Sequence, residues 1–261
     1  MTSLNYREMG SGQVVILIHG FPMSQHVWDD FAEKLSETFH VVTFDLPGFG
    51  KSAPLDPGFS VEDVASVVLD FIREKKYQNP IIVGHSLGGY ISLALAADAP
   101  ELPGGICLFH STALKDSDDK KESRNKVLDF IEKQGVHAFT SNFISQLYAD
   151  PQHHSIVKVK RLAVQASRET VEGYTRAMRD RKDRTDVIAS FPRPILFLGG
   201  EKDQGIPSDT LFRQASLNPK AEVVILPDVA HMGMFEAEAT CLKKISDFAK
   251  KSLVTFSGGP V

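Results

Sequence analysis

The most informative stretch of this chain is Ile81-Ile82-Val83-Gly84-His85-Ser86-Leu87-Gly88-Gly89-Tyr90. A short β-branched apolar run ends in the pattern Gly-x-Ser-x-Gly, and a helical pattern follows at once. This order predicts a strand, a sharp turn and a helix, with Ser86 at the apex of the turn. Gly84 and Gly88 fit this prediction because strand and helix approach each other too closely there for a Cβ. The setting therefore predicts a serine whose hydroxyl points out of the fold.

Strand and helix patterns alternate on both sides of this turn. Apolar β-branched runs predict strands, and the amphipathic runs between them predict helices. Such alternation favours an α/β fold with a mostly parallel sheet and right-handed crossovers. The predicted strands are residues 4–9, 14–18, 40–44, 81–83, 105–109, 194–198 and 221–226, and the helices flanking them are residues 25–38, 60–76, 91–98, 208–216 and 235–250.

The alternation stops between residues 111 and 190, where only helical patterns are found. A stretch of roughly 80 residues is far longer than a crossover needs. We interpret residues 111–190 as an all-helical cap, or lid, inserted into a core made of residues 1–110 and 191–261. Ordinary crossover helices are the alternative.

The length and charge of the chain limit the classes of protein to which it can belong. With 261 residues, 42% of them hydrophobic, the chain is long enough for one large α/β domain with an insertion. A net charge of −4 gives no electrostatic reason to expect binding to nucleic acid or to an anionic membrane. No apolar run approaches the roughly 18 residues of a membrane span, and residues 1–12 lack the pattern of a signal peptide. We expect a soluble, cytoplasmic protein, with no prediction of its oligomeric state.

A serine hydroxyl is a poor nucleophile at neutral pH, so Ser86 needs a histidine base. Because parallel strands end at the same edge of a sheet, the base should follow a strand. His231 follows the predicted strand 221–226 and is our choice among nine histidines. His19 and His110 also follow strands, but a turn role suits the former and packing or pocket lining the latter.

The base in turn needs a carboxylate that fixes its tautomer. Asp203 lies in the loop after strand 194–198, past the turn glycines, where it can reach a histidine from the next strand end. Glu201 is the alternative acid. With Asp203 the chain order is Ser, Asp, His, the order expected for a Gly-x-Ser-x-Gly turn in this setting.

Backbone amides must stabilise the oxyanion that forms when a serine attacks a carbonyl carbon. We predict the N–H groups of Leu87 and Phe21 as donors, from their positions just after Ser86 and just after strand 14–18. A metal site is not predicted. The pair His153-His154 beside Asp150 lacks a third ligand at a suitable spacing.

Five motifs in this order resemble the α/β-hydrolase fold superfamily. The motifs are His19-Gly20-Phe21-Pro22, Asp45-Leu46-Pro47-Gly48-Phe49-Gly50-Lys51-Ser52, Gly84-His85-Ser86-Leu87-Gly88-Gly89, Gly200-Glu201-Lys202-Asp203 and His231. The resemblance implies a mostly parallel eight-strand sheet flanked by helices, with a helical cap over the serine inserted after strand 6. It also implies esterase-like chemistry without metal or organic cofactor. The N-terminal part looks short for the first two strands of that fold.

We therefore expect a carboxylesterase-like serine hydrolase that cleaves small-molecule carboxylic esters through an acyl-enzyme. An aspartate at the apex is typical of the haloalkane dehalogenases and epoxide hydrolases of this fold, so Ser86 disfavours those activities. A C–C bond hydrolase or lyase with the same triad, and a non-catalytic ligand receptor on the same scaffold, are the alternatives. Apolar residues that are candidates for the substrate pocket, with core packing as the alternative for each, are Trp28, Phe139, Phe143, Leu147 and Met232.

Overall fold

A computed structural model describes residues 3–257, which form an open sheet flanked by helices. Within this range no helix has the length and apolar character needed to span a membrane. The strands are β1 (Tyr6–Met9), β2 (Val14–Ile18), β3 (His40–Phe44), β4 (Ile81–His85), β5 (Gly105–Phe109), β6 (Ile195–Gly200) and β7 (Ala221–Leu226). The helices are α1 (Asp29–Leu35), α2 (Val61–Glu74), α3 (Leu87–Asp98), α4 (Asp118–Ser145), α5 (Ile156–Ala163), α6 (Arg168–Arg179), α7 (Thr185–Ser190), α8 (Ser208–Ala215), α9 (Gly233–Glu236) and α10 (Glu238–Ser257).

The strands are arranged in the order β1-β3-β2-β4-β5-β6-β7. β1 runs antiparallel to β3, and all other neighbouring pairs are parallel. The mostly parallel sheet is confirmed, but the count of eight strands is not, since seven are found among residues 3–257. The difference lies at the N-terminus, because the described residues before Val14 provide only the four-residue strand β1.

Both faces of the sheet are covered, so the side chains of a central strand alternate between two apolar clusters. In β2, Val15 and Leu17 belong to a cluster that includes residues of α1 and α10. Ile16 and Ile18 belong to the opposite cluster, which includes residues of α2 and α3. Burial on both faces explains why this strand reads as a continuous apolar run in the sequence.

Between β5 and β6 the chain contains the four helices α4 to α7. They follow the fifth strand rather than the sixth, because the described sheet begins with one strand fewer than the resemblance implied. α6 lies on the loop after β3, where the Tyr174 hydroxyl donates to the Pro47 carbonyl at 3.0 Å. In the same region the Thr170 hydroxyl donates to the Gly48 carbonyl at 3.2 Å. The helical segment is thereby tied to the carboxyl edge of the sheet.

Helix α3 begins so close to strands β4 and β2 that the contacts leave no room for side chains. A Cβ at Gly84 would lie 2.4 Å from the carbonyl carbon of Gly88, and one at Gly88 would lie 2.4 Å from the Ile18 carbonyl oxygen. Both obstacles are backbone atoms, which cannot rotate away. The two glycines therefore permit the approach that places Ser86 between strand and helix.

Replacing Gly84 by alanine should destabilise the fold. Because the added methyl group meets backbone, we expect Gly84→Ala to lower the free energy of unfolding by about 2–3 kcal/mol, as overpacking does. Urea denaturation monitored by circular dichroism measures this change. Gly205→Ala is the matched control, since its Cβ would meet Asp203 Oδ1 at an ordinary 3.4 Å. Equal effects of the two substitutions would contradict the close crossing.

Candidate active site

Four of the predicted site residues converge on one cavity at the carboxyl edge of the sheet. Ser86 follows β4, Asp203 follows β6, His231 follows β7, and Phe21 lies in the loop after β2. All four line a cavity of about 660 Å³, which is within the range of small-molecule sites. The parallel strands bring them together, because residues far apart in the chain leave the sheet at the same edge.

Ser86 has a strained backbone that three hydrogen bonds hold in place. Its φ of 50° and ψ of −111° are rare for a residue with a side chain. The Ser86 N–H donates to the Phe109 carbonyl at 2.9 Å. The Ser86 carbonyl accepts from the Gly89 N–H at 2.9 Å and from the Ser111 hydroxyl at 2.7 Å. These three hydrogen bonds hold Ser86 in a backbone conformation that it would not adopt without them.

Asp203 is a buried carboxylate whose two oxygens are both engaged. Oδ2 accepts from Nδ1 of His231 at 2.7 Å, and Oδ1 accepts from the N–H groups of Gly205 and Ile206 at 2.9 and 3.0 Å. Burial acts to raise the pKa of Asp203, but His231 and His110 outweigh it and hold that pKa well below its usual range. Asp203 is therefore ionised and fixes the proton of His231 on Nδ1, which leaves Nε2 free to accept one.

Glu201, the alternative acid, lies elsewhere in the same turn. Its carboxylate accepts from the Asp228 N–H at 3.2 Å, and the residue is exposed. The imidazole of His231 is thus paired with Asp203 and not with Glu201.

His110 is a second histidine against Asp203, and sequence reasoning missed this contact. Its Nε2 accepts from the Gly233 N–H at 3.2 Å, so the ring proton is on Nδ1. That nitrogen lies 3.3 Å from Asp203 Oδ2, a long contact that is not a well-formed hydrogen bond. Burial lowers the pKa of His110, although Asp203 opposes this effect. His110 therefore acts as a neutral dipole behind the carboxylate.

His85 positions the backbone of His231. Nε2 of His85 donates to the His231 carbonyl at 2.9 Å, and the two rings lie 5.1 Å apart. Burial, reinforced by His231 and His110, lowers the pKa of His85 well below its ordinary value. The His231 N–H donates to the Leu147 carbonyl at 2.9 Å, so both backbone groups of His231 are held. The sequence did not predict this contact between His85 and the backbone of His231.

Glu236 binds the backbone on both sides of His231. Its Oε2 accepts from the N–H groups of Ala230 and Met232 at 3.2 and 3.0 Å, on either side of His231. Its Oε1 accepts from the Ala149 N–H at 2.7 Å, in the helical segment. This one carboxylate therefore links the loop of His231 to the segment above the cavity.

The apolar candidates for the substrate pocket divide into three groups. Phe143 and Leu147 line the cavity. Phe139 stacks on Phe143 at 5.3 Å and lies behind it. Trp28 and Met232 do not line the cavity: both are fully buried in the core, where Trp28 stacks with Phe109 at 6.2 Å. Sequence hydrophobicity could not separate a cavity wall from a core, because both need apolar side chains.

The predicted oxyanion donors lie beside the nucleophile. Leu87 is the first residue of α3, so its N–H has no partner within the helix. Phe21 lines the same cavity from the loop after β2. These positions are compatible with the predicted role of both amides.

A group of three possible metal ligands is found at this site within the described part of the chain. Atoms of His110, Asp203 and His231 that are able to bind a metal lie within 4.8 Å of one another. The contacts already described among them account for this spacing.

Comparisons with known proteins match nearly the whole chain. A model of the alpha/beta hydrolase family matches residues 15–241. The chain is 25% identical to 2-(acetamidomethylene)succinate hydrolase of Mesorhizobium japonicum, over 94% of this chain and 91% of that protein. It is 27% identical to pimeloyl-[acyl-carrier protein] methyl ester esterase of Vibrio cholerae, over 95% and 99%. A solved thermophilic esterase from Thermogutta terrifontis is similar with a TM-score of 0.89 and 27% identity, over 95% and 93%.

The ionised state of Asp203 should appear in the pH dependence of stability. The folded pKa lies well below the unfolded value of about 3.9, so the stabilisation is complete above that value and is lost as pH falls through the folded pKa. Between about pH 5 and about pH 2, the free energy of unfolding should fall more steeply for wild type than for Asp203→Asn, by up to about 1.4 kcal/mol per pH unit. Urea titrations at a series of pH values measure both slopes.

Asp228→Asn is the control for this measurement. The Asp228 side chain is 83% exposed and pairs with Lys202 at the surface, where such pairs contribute little. Its slope should follow that of wild type. If the free energy of unfolding depended on pH equally for wild type and Asp203→Asn, the pKa of Asp203 would not be lowered in the folded protein.

Proposed function

The chain belongs to the alpha/beta hydrolase family, and from this premise we propose that it is a serine carboxylesterase acting on small esters through an acyl-enzyme. One observation carries the proposal: His231, hydrogen-bonded to a buried ionised Asp203, lines the same cavity as Ser86. One relative by sequence and one solved structure are named as esterases, which supports the same reaction class.

In the first half of the proposed reaction, Ser86 Oγ attacks the ester carbonyl carbon. The serine proton passes to Nε2 of His231 as the new C–O bond forms, and the carbonyl electrons move onto the oxygen. The N–H groups of Phe21 and Leu87 stabilise this oxyanion. Asp203 stabilises the imidazolium without taking its proton.

The oxyanion then collapses and expels the alcohol, which takes the proton from His231. In the second half, His231 removes a proton from water, and the resulting hydroxide attacks the acyl-enzyme carbonyl carbon. A second oxyanion collapses, the acid leaves, and Ser86 recovers its proton from His231. Each step uses the same base and the same two amides.

Residues 111–190 would act as the cap of this enzyme. Phe143 and Leu147 supply apolar walls to the cavity, and the Leu147 carbonyl accepts from the N–H of His231. The cap would therefore both shape the substrate site and support the base. A C–C bond hydrolase or lyase with the same triad remains the alternative, and substrate tests separate it from an esterase.

Ser86→Ala should abolish ester hydrolysis. We expect turnover of 4-nitrophenyl acetate or butyrate to fall by several orders of magnitude, because no other group supplies the nucleophile. A fluorophosphonate probe should label the wild-type protein and not the variant, as mass spectrometry of the labelled peptide can show.

Ser123→Ala is the matched control, since Ser123 lines the same cavity and its hydroxyl donates to the Asp119 carbonyl. Its activity and labelling should equal those of wild type. Substantial ester turnover by Ser86→Ala would refute the assigned nucleophile. Absence of labelling in wild type would favour a ligand receptor, and turnover of β-diketones without ester turnover would favour a C–C hydrolase.

His85 should contribute to kcat through the position of His231. His85→Met fills similar space without a donor, so the His231 carbonyl loses its hydrogen bond and kcat should fall about tenfold with little change in KM. His85→Gln keeps an N–H donor and should recover part of kcat. Steady-state kinetics on a 4-nitrophenyl ester measures both. Equal kcat values for the two variants would contradict a positioning role.

A further inference from the structure

Four charged residues form a group on the α4 side of the cavity: Asp116, Lys120, Arg124 and Arg181, referred to below as the basic cluster. The first three line the cavity. The Asp116 carboxylate, with 1% of its side chain exposed, accepts from Arg124 Nε at 2.7 Å and from Arg181 Nη1 at 2.6 Å. A single carboxylate thus faces two guanidinium groups.

Lys120 adds a third positive charge without a charged partner. Its ammonium donates to the Gly205 carbonyl at 3.0 Å, and no carboxylate of residues 3–257 lies within 4.0 Å of it. The residue is exposed to solvent. Partial burial of its ammonium group lowers the pKa of Lys120; Arg181 and Arg124 add to this effect, and Asp116 and Asp203 oppose it. With three cations and one anion, the basic cluster has a net charge of +2.

None of the other charged side chains along the described cavity wall adds an unpaired positive charge. Lys202 pairs with Asp228 at 2.7 Å. Asp203 is bonded to His231, and Glu201 is exposed and accepts from the Asp228 N–H. The unmatched positive charge therefore lies at the basic cluster and not around the catalytic residues.

The basic cluster is connected to the catalytic loop. Lys120 binds the carbonyl of Gly205, and the N–H of the same residue donates to Asp203 Oδ1 at 2.9 Å. Apolar side chains of Val127, Phe143 and Leu147 line the same cavity. A substrate could thus place its ester at Ser86, its methylene groups on the apolar wall and a charged end at Lys120.

We propose that the basic cluster is a subsite for a carboxylate on the substrate, so that the preferred esters are half-esters of dicarboxylic acids. The proposal rests on the proposed esterase function and narrows its substrate class. A singly charged carboxylate suits the site, because Arg124 and Arg181 already share Asp116 and Lys120 alone lacks a charged partner.

The test compares matched pairs of substrates. Mono-4-nitrophenyl esters of dicarboxylic acids of increasing length are each measured against the neutral 4-nitrophenyl ester of the monocarboxylic acid of equal length. For wild type, kcat/KM should favour the anionic member at one chain length by about tenfold or more, as for a hydrogen bond to a charged group. Lys120→Gln should remove most of this preference, mainly through KM, and Lys120→Glu should reverse it.

Lys202→Gln is the matched control, because Lys202 lines the same cavity but is paired with Asp228. It should keep the wild-type preference. The proposal is overturned if wild type shows no preference for the anionic ester at any length. It is also overturned if Lys120→Gln lowers kcat/KM of both substrates by the same factor, since this is the mark of a structural role.

A binding measurement separates this proposal from the esterase function. Calorimetry on Ser86→Ala should show tighter binding of the monomethyl ester of a dicarboxylic acid than of the neutral methyl ester of the monocarboxylic acid of equal length. Lys120→Gln in that background should abolish the difference. This result would uphold the subsite even if no ester were hydrolysed by wild type. Equal affinity for both esters would refute the subsite even if Ser86 hydrolyses neutral esters.

Discussion

The position of Ser86 depends on the close approach of helix α3 to the strands beneath it. Gly84 allows β4 to contact the backbone of α3, and Gly88 allows α3 to contact the backbone of β2. Ser86, between the two glycines, turns with a φ of 50°. Hydrogen bonds to Phe109 and from Ser111, at the end of β5, hold that strained turn from the neighbouring strand. These contacts with the sheet hold the backbone of Ser86 in place, and the cavity lies next to this fixed residue.

A second constraint on the site is the buried negative charge of Asp203. A carboxylate with 2% of its side chain exposed is tolerated only because two backbone N–H groups and two histidines surround it. His85, Leu147 and Glu236 hold the backbone around His231, so the imidazole is constrained through the chain as well as through its Nδ1. Two of these contacts involve the helical segment, at Leu147 and Ala149, which couples the base to the proposed cap.

The sequence was sufficient to predict the family, the parallel sheet and the strand ends from which Ser86, Asp203 and His231 project, because each depends on local patterns read in order. His85 and His110 were not predicted as partners of His231 and Asp203, because such contacts depend on side-chain directions at the ends of different strands. Trp28 and Met232 were candidates for the pocket, with core packing as the alternative, and they lie in the core, where apolar character is equally required. The eighth strand was implied by resemblance alone, and the described residues before Val14 form only one short strand.

The most direct test of the catalytic account is a crystal structure of the protein after reaction with a fluorophosphonate. Phosphorus should be bonded to Ser86 Oγ, with its unesterified oxygen accepting hydrogen bonds from the N–H groups of Phe21 and Leu87. Nε2 of His231 should lie within hydrogen-bond distance of Ser86 Oγ or of the phosphonate, with the Asp203 contact unchanged. Phosphorus on another residue, or an oxygen directed away from both amides, would contradict the account.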